Sequence, residues 1–366
     1  MIKKYTAVLA AAFSATALST AALSSPAWAD APVEASISPA ATSQLPAMFA
    51  KGDVRIAVVR QLNTGDVYEN WIAGIQAEAK RLGVHLQIYN ADGNSAREAL
   101  YLQEAASTKP NAIIIGWGFA DSLQAGLEAA QQAHIPVIAF DVGVPPSADV
   151  VTIQQSNEQM MQGILAQLKS DLGGQDIKAQ VLYAYVPGYR PLDLRNNAWQ
   201  AFLKANPGIQ VKATIGVVDA NTATETANQA VAALTANPKV SDIIAPYDEF
   251  AKGAALAVQE LKLQGKVKVY GMDISTADIA VMTAPNSPWV VTATTDMSNV
   301  GQVVLRTAAA KAAGQLEGNT VTVPPAVITQ AALRADHVQN MDELRKAFPQ
   351  LMTPSLIRAP WMDKGQ

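Results

Sequence analysis

The sequence has no cysteine. That removes disulfide frameworks, thiolate metal sites, thiol nucleophiles and lipid-modified cysteines together. Histidine is nearly as scarce: His85, His134 and His337 stand far apart, give no metal-ligand spacing, and read as structural or surface residues. Charge is thin too, at 16% of 366 residues, against about a quarter in ordinary domains. With 49% apolar residues and abundant alanine, the chain is expected to pack well rather than stay disordered. Setting aside Lys3 and Lys4 leaves 25 basic against 31 acidic residues, a net charge of −6, which argues against a nucleic-acid partner. No Ser/His/Asp set and no phosphate loop appears, so no cofactor and no catalytic constellation is expected.

Long apolar runs are missing except at the start. Lys3 and Lys4, the apolar stretch Ala7 to Leu23 and the small-x-small triplet Ala27-Trp28-Ala29 read as a signal peptide over residues 1–29, cut before Asp30. Ser14, Thr16, Ser19 and Thr20 dilute the stretch too much for a retained anchor. The mature chain is therefore expected to be exported and soluble, in the periplasm. Residues 30–51, rich in Ala, Ser and Pro, read as a flexible tether.

What is present is alternation. Val54–Val59 is a β-branched run without helical period, Tyr68–Leu82 carries Trp71, Ile72, Ile75, Ala79 and Leu82 at helical spacing, and Gly83 closes it. Strand-like and helix-like segments then alternate with short connections, the pattern of a parallel sheet covered on both faces. At this length one core is too few and two domains are comfortable. The apolar run Pro136 to Phe140 stops at Asp141, and a second, Val267 to Met272, stops at Asp273. Ligands of open parallel sheets collect outside the carboxyl ends of the strands, so two similar lobes, each offering one acid to a shared cleft, are predicted. The expected fold class is α/β. One lobe takes residues 52–156 plus 297–322, the other 157–296 plus 323–348, and residues 349–366 form a tail. Crossings are expected near Gln155 to Asn157, near Asp296, and near Thr320 to Pro325.

The ordered set of motifs resembles the type I periplasmic binding proteins of sugar ABC transporters, in particular the ribose-binding-protein family. It comprises Gly65-Asp66-Val67-Tyr68, Ala133 to Asp141, Arg195-Asn196-Asn197-Ala198-Trp199, Asn206-Pro207-Gly208-Ile209, Tyr247 to Gly253, Gly271-Met272-Asp273 and Asp296 to Gly301. The likeness runs from Asp53 to about Gln330. It implies a two-lobed clamp that closes on a small sugar or polyol and presents it to a membrane permease, as a monomer.

Asp141 and Asp273 are the first candidates for ligand contact, as acceptors for hydroxyl pairs, with Asp66 in reserve. The resemblance puts a stacking aromatic at Tyr68. At Asp296 relatives commonly carry a glutamine, at Tyr247 several carry an asparagine, and at Asp193 an arginine often meets the sugar; Arg190 and Arg195 flank that position. Gly116-Trp117-Gly118 looks like a dinucleotide loop but lacks its third glycine, because Asp121 stands there. Trp117 is placed instead at the cleft or its rim. Each of these has an ordinary alternative: a turn or cap for the aspartates, a core position for Tyr68, a structural helix start for Arg195. Three other classes stand beside this one. An exported enzyme lacks a marked catalytic set, and a regulator's effector domain conflicts with the leader and has no helix-turn-helix. A sensory partner for a chemoreceptor or sensor kinase stays open. So does an amine-bearing ligand, given several acids at one cleft.

Overall fold

The computed structural model describes residues 30–364; the signal peptide expected over residues 1–29 lies outside them. A two-residue strand β1 (Ser36–Ile37) and a one-turn helix α1 (Ala47–Ala50) precede β2 (Arg55–Arg60), α2 (Asp66–Leu82), β3 (His85–Asn90), α3 (Ser95–Ser107), β4 (Ala112–Gly116), α4 (Ala120–Gln132), β5 (Val137–Phe140) and β6 (Val150–Gln155). The alternation restarts with α5 (Asn157–Asp171), β7 (Ala179–Ala184), α6 (Arg190–Ala205), β8 (Ile209–Ile215), α7 (Thr222–Ala236), β9 (Val240–Ala245), α8 (Asp248–Glu260), β10 (Lys268–Met272), α9 (Thr276–Thr283) and β11 (Trp289–Thr294). Then follow α10 (Met297–Ala312), β12 (Leu316–Glu317), β13 (Thr320–Val323), β14 (Ala326–Thr329), α11 (Gln330–Ala335) and α12 (Met341–Ala347).

Two six-stranded sheets result, in the orders β13-β6-β5-β4-β2-β3 and β14-β11-β10-β9-β7-β8. Every pairing is parallel except β14 against β11. The central strands are buried on both faces, β4 (Ala112 to Gly116) along its whole length, because helices cover each side of the sheet. The two-lobed α/β fold is therefore as the alternation predicts. The chain passes between the sheets from β6 into α5, from β11 into α10 and from β13 to β14. Helix α10 belongs with the first sheet because glycines let it touch α2. A methyl group on Gly74 would fall 2.0 Å from the Ser298 carbonyl oxygen, and one on Gly301 2.2 Å from that of Trp71.

The stretch read as a flexible tether and the tail beyond residue 348 are both held against the fold. In the predicted tether, β1 pairs with β12 (Ser36 with Glu317, Ile37 with Leu316). Asn319 fixes the approach, its side-chain oxygen accepting from the Val33 N–H at 2.7 Å and its amide donating to the Ala31 carbonyl at 3.1 Å. Ala35 and Phe49 are buried, so two apolar residues in a Pro/Ala/Ser context suffice to dock the segment. The predicted tail is three 3-10 turns at Pro349–Leu351, Pro354–Leu356 and Pro360–Lys364, each opened by a proline, where its missing N–H costs nothing. Leu351, Ile357, Trp361 and Met362 are buried. Trp361 packs on Phe49 at 4.6 Å between ring centroids and donates to Gln315 at 2.7 Å, while Arg306 and Arg81 of the first lobe hold the Pro354 and Met362 carbonyls. Helix α6 starts at Arg190, with Pro191 in its first turn. Helix α9, capped by Ser275 onto the Asp278 N–H, was not visible in the periodicity.

Candidate ligand-binding cleft

Three strands end the same way. The residues after β4, β5 and β10 are Trp117, Asp141 and Asp273, with φ of 60°, 50° and 65°. A side chain in left-handed backbone costs on the order of 1–2 kcal/mol, and such outliers gather where a side chain must be aimed. All three are buried at the carboxyl ends of the strands. Between the lobes lies a small cavity of about 30 Å³. The first lobe lines it with Val67, Tyr68 and Trp117, the second with Tyr189, Pro191, Leu192, Arg195, Val218, Tyr247 and Asp273, and the β6–α5 crossing adds Gln155.

One wall is aromatic. Tyr68 meets the edge of Trp117 at 4.5 Å between centroids, Trp117 rests on Trp71 at 4.9 Å, and Tyr247 lies 6.3 Å from Tyr68. Packing of that kind fixes ring faces at low entropic cost. Burial pushes both tyrosine hydroxyls far above their ordinary range, so each stays a neutral donor and acceptor.

The opposite side is polar and continuous. Arg195, almost fully buried, reaches Asp273 with one guanidinium nitrogen at 3.2 Å and another at 3.5 Å, and it donates to the Pro246 carbonyl at 2.7 Å and to the Asn157 side-chain oxygen at 2.9 Å. Asn157 Nδ2 faces Asp141 at 3.5 Å, and Gln155 donates to Asp141 from its side chain at 2.9 Å and its backbone at 3.4 Å. Thr295 in turn donates to Gln155 Oε1 at 2.8 Å. Burial lifts the Asp141 carboxyl to about 6, against the pull of Gln155 and Arg195. Burial raises Asp273 as well, and the adjoining Arg195 charge opposes it.

Of the ten residues singled out in the sequence, Asp273, Tyr68, Tyr247, Trp117 and Arg195 line the cavity, and Asp141 stands one hydrogen bond behind Gln155. The other four lie elsewhere. Asp296 caps α10 through the Ser298 and Asn299 N–H groups and pairs with Arg345. Asp193 accepts from the Tyr185 hydroxyl at 2.7 Å and the Gly188 N–H at 3.1 Å. Arg190 lines an adjoining groove with Gln154 and Thr322, which shares Gln155 with the cavity. Asp66 meets Lys252 and Ser275 of the other lobe. For the three aspartates a local partner, a cap, a hydroxyl or a cation, satisfies the group that sequence position alone would send to the ligand. Gln155, Asn157, Tyr189, Pro191, Leu192 and Val218 were missed; only the Gln155 to Asn157 crossing carried a signal.

Residues 56–316 match the model of the periplasmic binding protein domain. The chain belongs to that family. It is similar to the 5-methylthioribose transporter solute-binding protein of Thermotoga lettingae, solved with 5-methylthioribose: 37% identity over 88% of this chain and 99% of that one, with a TM-score of 0.84. A sugar ABC transporter protein of Yersinia enterocolitica is 30% identical over 88% and 99% of the two chains, with a TM-score of 0.80. A solute-binding protein of Agrobacterium vitis with bound allitol, at 23% identity over 77% and 97% and a TM-score of 0.69, shares the fold. No curated protein sequence matches. The Thermotoga protein is by its description the solute-binding protein of a transporter.

Proposed function

We propose that the chain is an exported periplasmic protein that captures a small sugar or polyol between its lobes, without catalysis, and delivers it as a monomer to the permease of an ABC importer. The observation that carries this reading is the interlobe cavity with an aromatic and aliphatic wall facing Asp273, Arg195 and Gln155. Carboxylates accept from hydroxyl pairs, guanidinium and amide groups donate to ring and hydroxyl oxygens, and aromatic faces cover the C–H side. Asp141 serves through Gln155. Pro191, Leu192 and Val218 add an aliphatic end that polyhydroxylated rings do not need. A pentose with an apolar substituent fits both ends, and the Thermotoga relative carries such a ligand, 5-methylthioribose. An amine-bearing ligand is disfavoured: Arg195 already neutralises Asp273, and a second cation there would face a buried positive charge.

A thermal-shift panel on residues 30–366 tests the reading with 5-methylthioribose, D-ribose, allitol, hexoses and small amines. A ligand at a hundred times its Kd adds about 2.7 kcal/mol of stability. The expected result is a raised midpoint with a neutral sugar or polyol, largest for 5-methylthioribose. Shifts with amines alone sink the ligand class, and release of chemically altered sugar sinks the assignment as a binding protein.

A further inference from the structure

A second set of contacts joins the lobes outside the cavity. Asp66 is the first residue of α2 in the first lobe. Its carboxylate accepts from Lys252 Nζ at 3.1 Å and from the Ser275 hydroxyl at 2.7 Å, both on the second lobe. None of the three lines the cavity. Lys252 is held in advance by its own lobe: Glu249 lies at 2.6 Å, Asp278 at 3.6 Å and Asp248 at 4.0 Å. Asp248 and Asp278 are fully buried, and Asp248 Oδ2 and both Asp278 carboxylate oxygens have no hydrogen-bond partner. Lys252 is thus the counter-ion of an otherwise unpaired acidic nest.

The acids are tolerable because of where they stand. Asp66, Asp248 with Glu249, and Asp278 occupy the first turns of α2, α8 and α9, so three positive helix ends converge on them. Among the described residues, Asp66, Asp248 and Asp278 are the one group whose oxygens converge as metal ligands would. Lys252 lies within 4.0 Å of all three and fills the place of a cation. The approach of Asp66 also demands its neighbour. Gly65 has φ 112°, and a methyl group there would sit 3.4 Å from the Tyr247 hydroxyl and 3.5 Å from Glu249, so the loop before α2 is seated against the start of α8. That seating exists only with the lobes together.

We propose that Asp66, Lys252 and Ser275 form a latch that holds the closed clamp from outside the ligand cavity, with Asp66 as the moving half and the Lys252 nest as the fixed half. They are positioning residues: they set how long a ligand stays, not which ligand enters. The proposal rests on the clamp reading above and deepens it.

The absence of cysteine gives a clean test. Lys80→Cys on the first lobe and Gln200→Cys on the second, both at exposed positions, take spin labels whose separation reports closure. Measurements are made with and without 5-methylthioribose, in the parent and with Asp66→Asn, which leaves the second lobe's nest intact. The expected result is a shift toward the longer distance in Asp66→Asn and about three- to tenfold faster dissociation of 5-methylthioribose, the range of a partly exposed charged contact. Association rate and ligand preference stay unchanged. Asp66→Glu, which keeps the charge, restores part of the residence time. If 5-methylthioribose does not bind the parent, the ligand reading fails on its own, and the ligand-free distances decide the latch: a smaller closed fraction in Asp66→Asn supports it. Identical distance distributions in parent and variant, or an unchanged dissociation rate where ligand binds, overturn it.

Discussion

Asp141 and Asp273 are the same device built twice and wired differently. Each follows a parallel strand, each takes left-handed backbone, and each is buried beside the cleft. Asp273 is met by a guanidinium at 3.2 Å; Asp141 is met by two amides, of Gln155 and Asn157. A carboxylate facing a fixed cation keeps its charge in low dielectric, whereas one facing neutral donors gives it up more readily. The backbone therefore repeats between the lobes and the electrostatics do not. The second lobe presents an ion pair to the cavity, whereas the carboxyl of the first stands behind Gln155.

The strongest way to break the comparison is to remove the cation. Arg195→Met keeps length and apolar stem but leaves Asp273 buried and uncompensated, with the Pro246 carbonyl and Asn157 oxygen short of a donor. A loss of about 3–5 kcal/mol in urea unfolding at neutral pH is expected, as for other buried pairs broken on one side. The double change Arg195→Met with Asp273→Asn should recover a large part of it, because no charge is then stranded. Gln155→Met, the matching lesion at Asp141, should cost only about 1–2 kcal/mol. Equal losses at the two sites would mean that the lobes are wired alike after all.

The next test is pH. The Asp141 carboxyl stands at about 6 in the fold and near 3.9 in an unfolded chain. Between those values the folded form holds a proton that the unfolded form has released, so stability rises as pH falls through 6 and the gain is complete below about 4. Asp278, lifted by burial to about 6, acts in the same direction. The ligand-free protein should therefore be more stable at pH 5 than at pH 7.5, with Asp141 contributing on the order of 1–2 kcal/mol. Asp141→Asn removes that share of the slope. A slope unchanged by the substitution would place the titration elsewhere.

How far the sequence reaches is visible in the same pair. A β-branched run that stops at an acid is legible because strand ends of parallel sheets are where ligands collect, and both aspartates were found that way. What each acid faces is not legible, since Arg195 and Asn157 come from helices of separate βα units and meet only in three dimensions. Asp296 shows the reverse error: family position suggested a ligand contact, but Ser298, Asn299 and Arg345 engage its oxygens. The aliphatic end of the cavity was hidden for another reason. Pro191, Leu192 and Val218 look like any helix start or strand end until the lobes are brought together. The docked tail escaped because its apolar residues follow neither a 2- nor a 3.6-residue period, and periodicity is the signal that sequence reading depends on.

The finest test asks whether the two centres are separate. Asn157 connects them, accepting from Arg195 Nε at 2.9 Å and facing Asp141 with its amide at 3.5 Å. Asp141→Asn and Asp273→Asn should each weaken sugar binding by about tenfold, the loss of a charged acceptor. Residues joined by one network do not add, and interaction energies of about 0.5–3 kcal/mol are usual. The long Asn157–Asp141 contact places this coupling at the lower end, so the double variant should bind about twofold better than the product of the single losses predicts. Repeating the cycle in Asn157→Ala should bring the combination back to additivity, because the amide that carries one site's change to the other is gone. Coupling that survives Asn157→Ala would route the connection through the ligand itself, with each aspartate holding the same hydroxyl array from its own lobe.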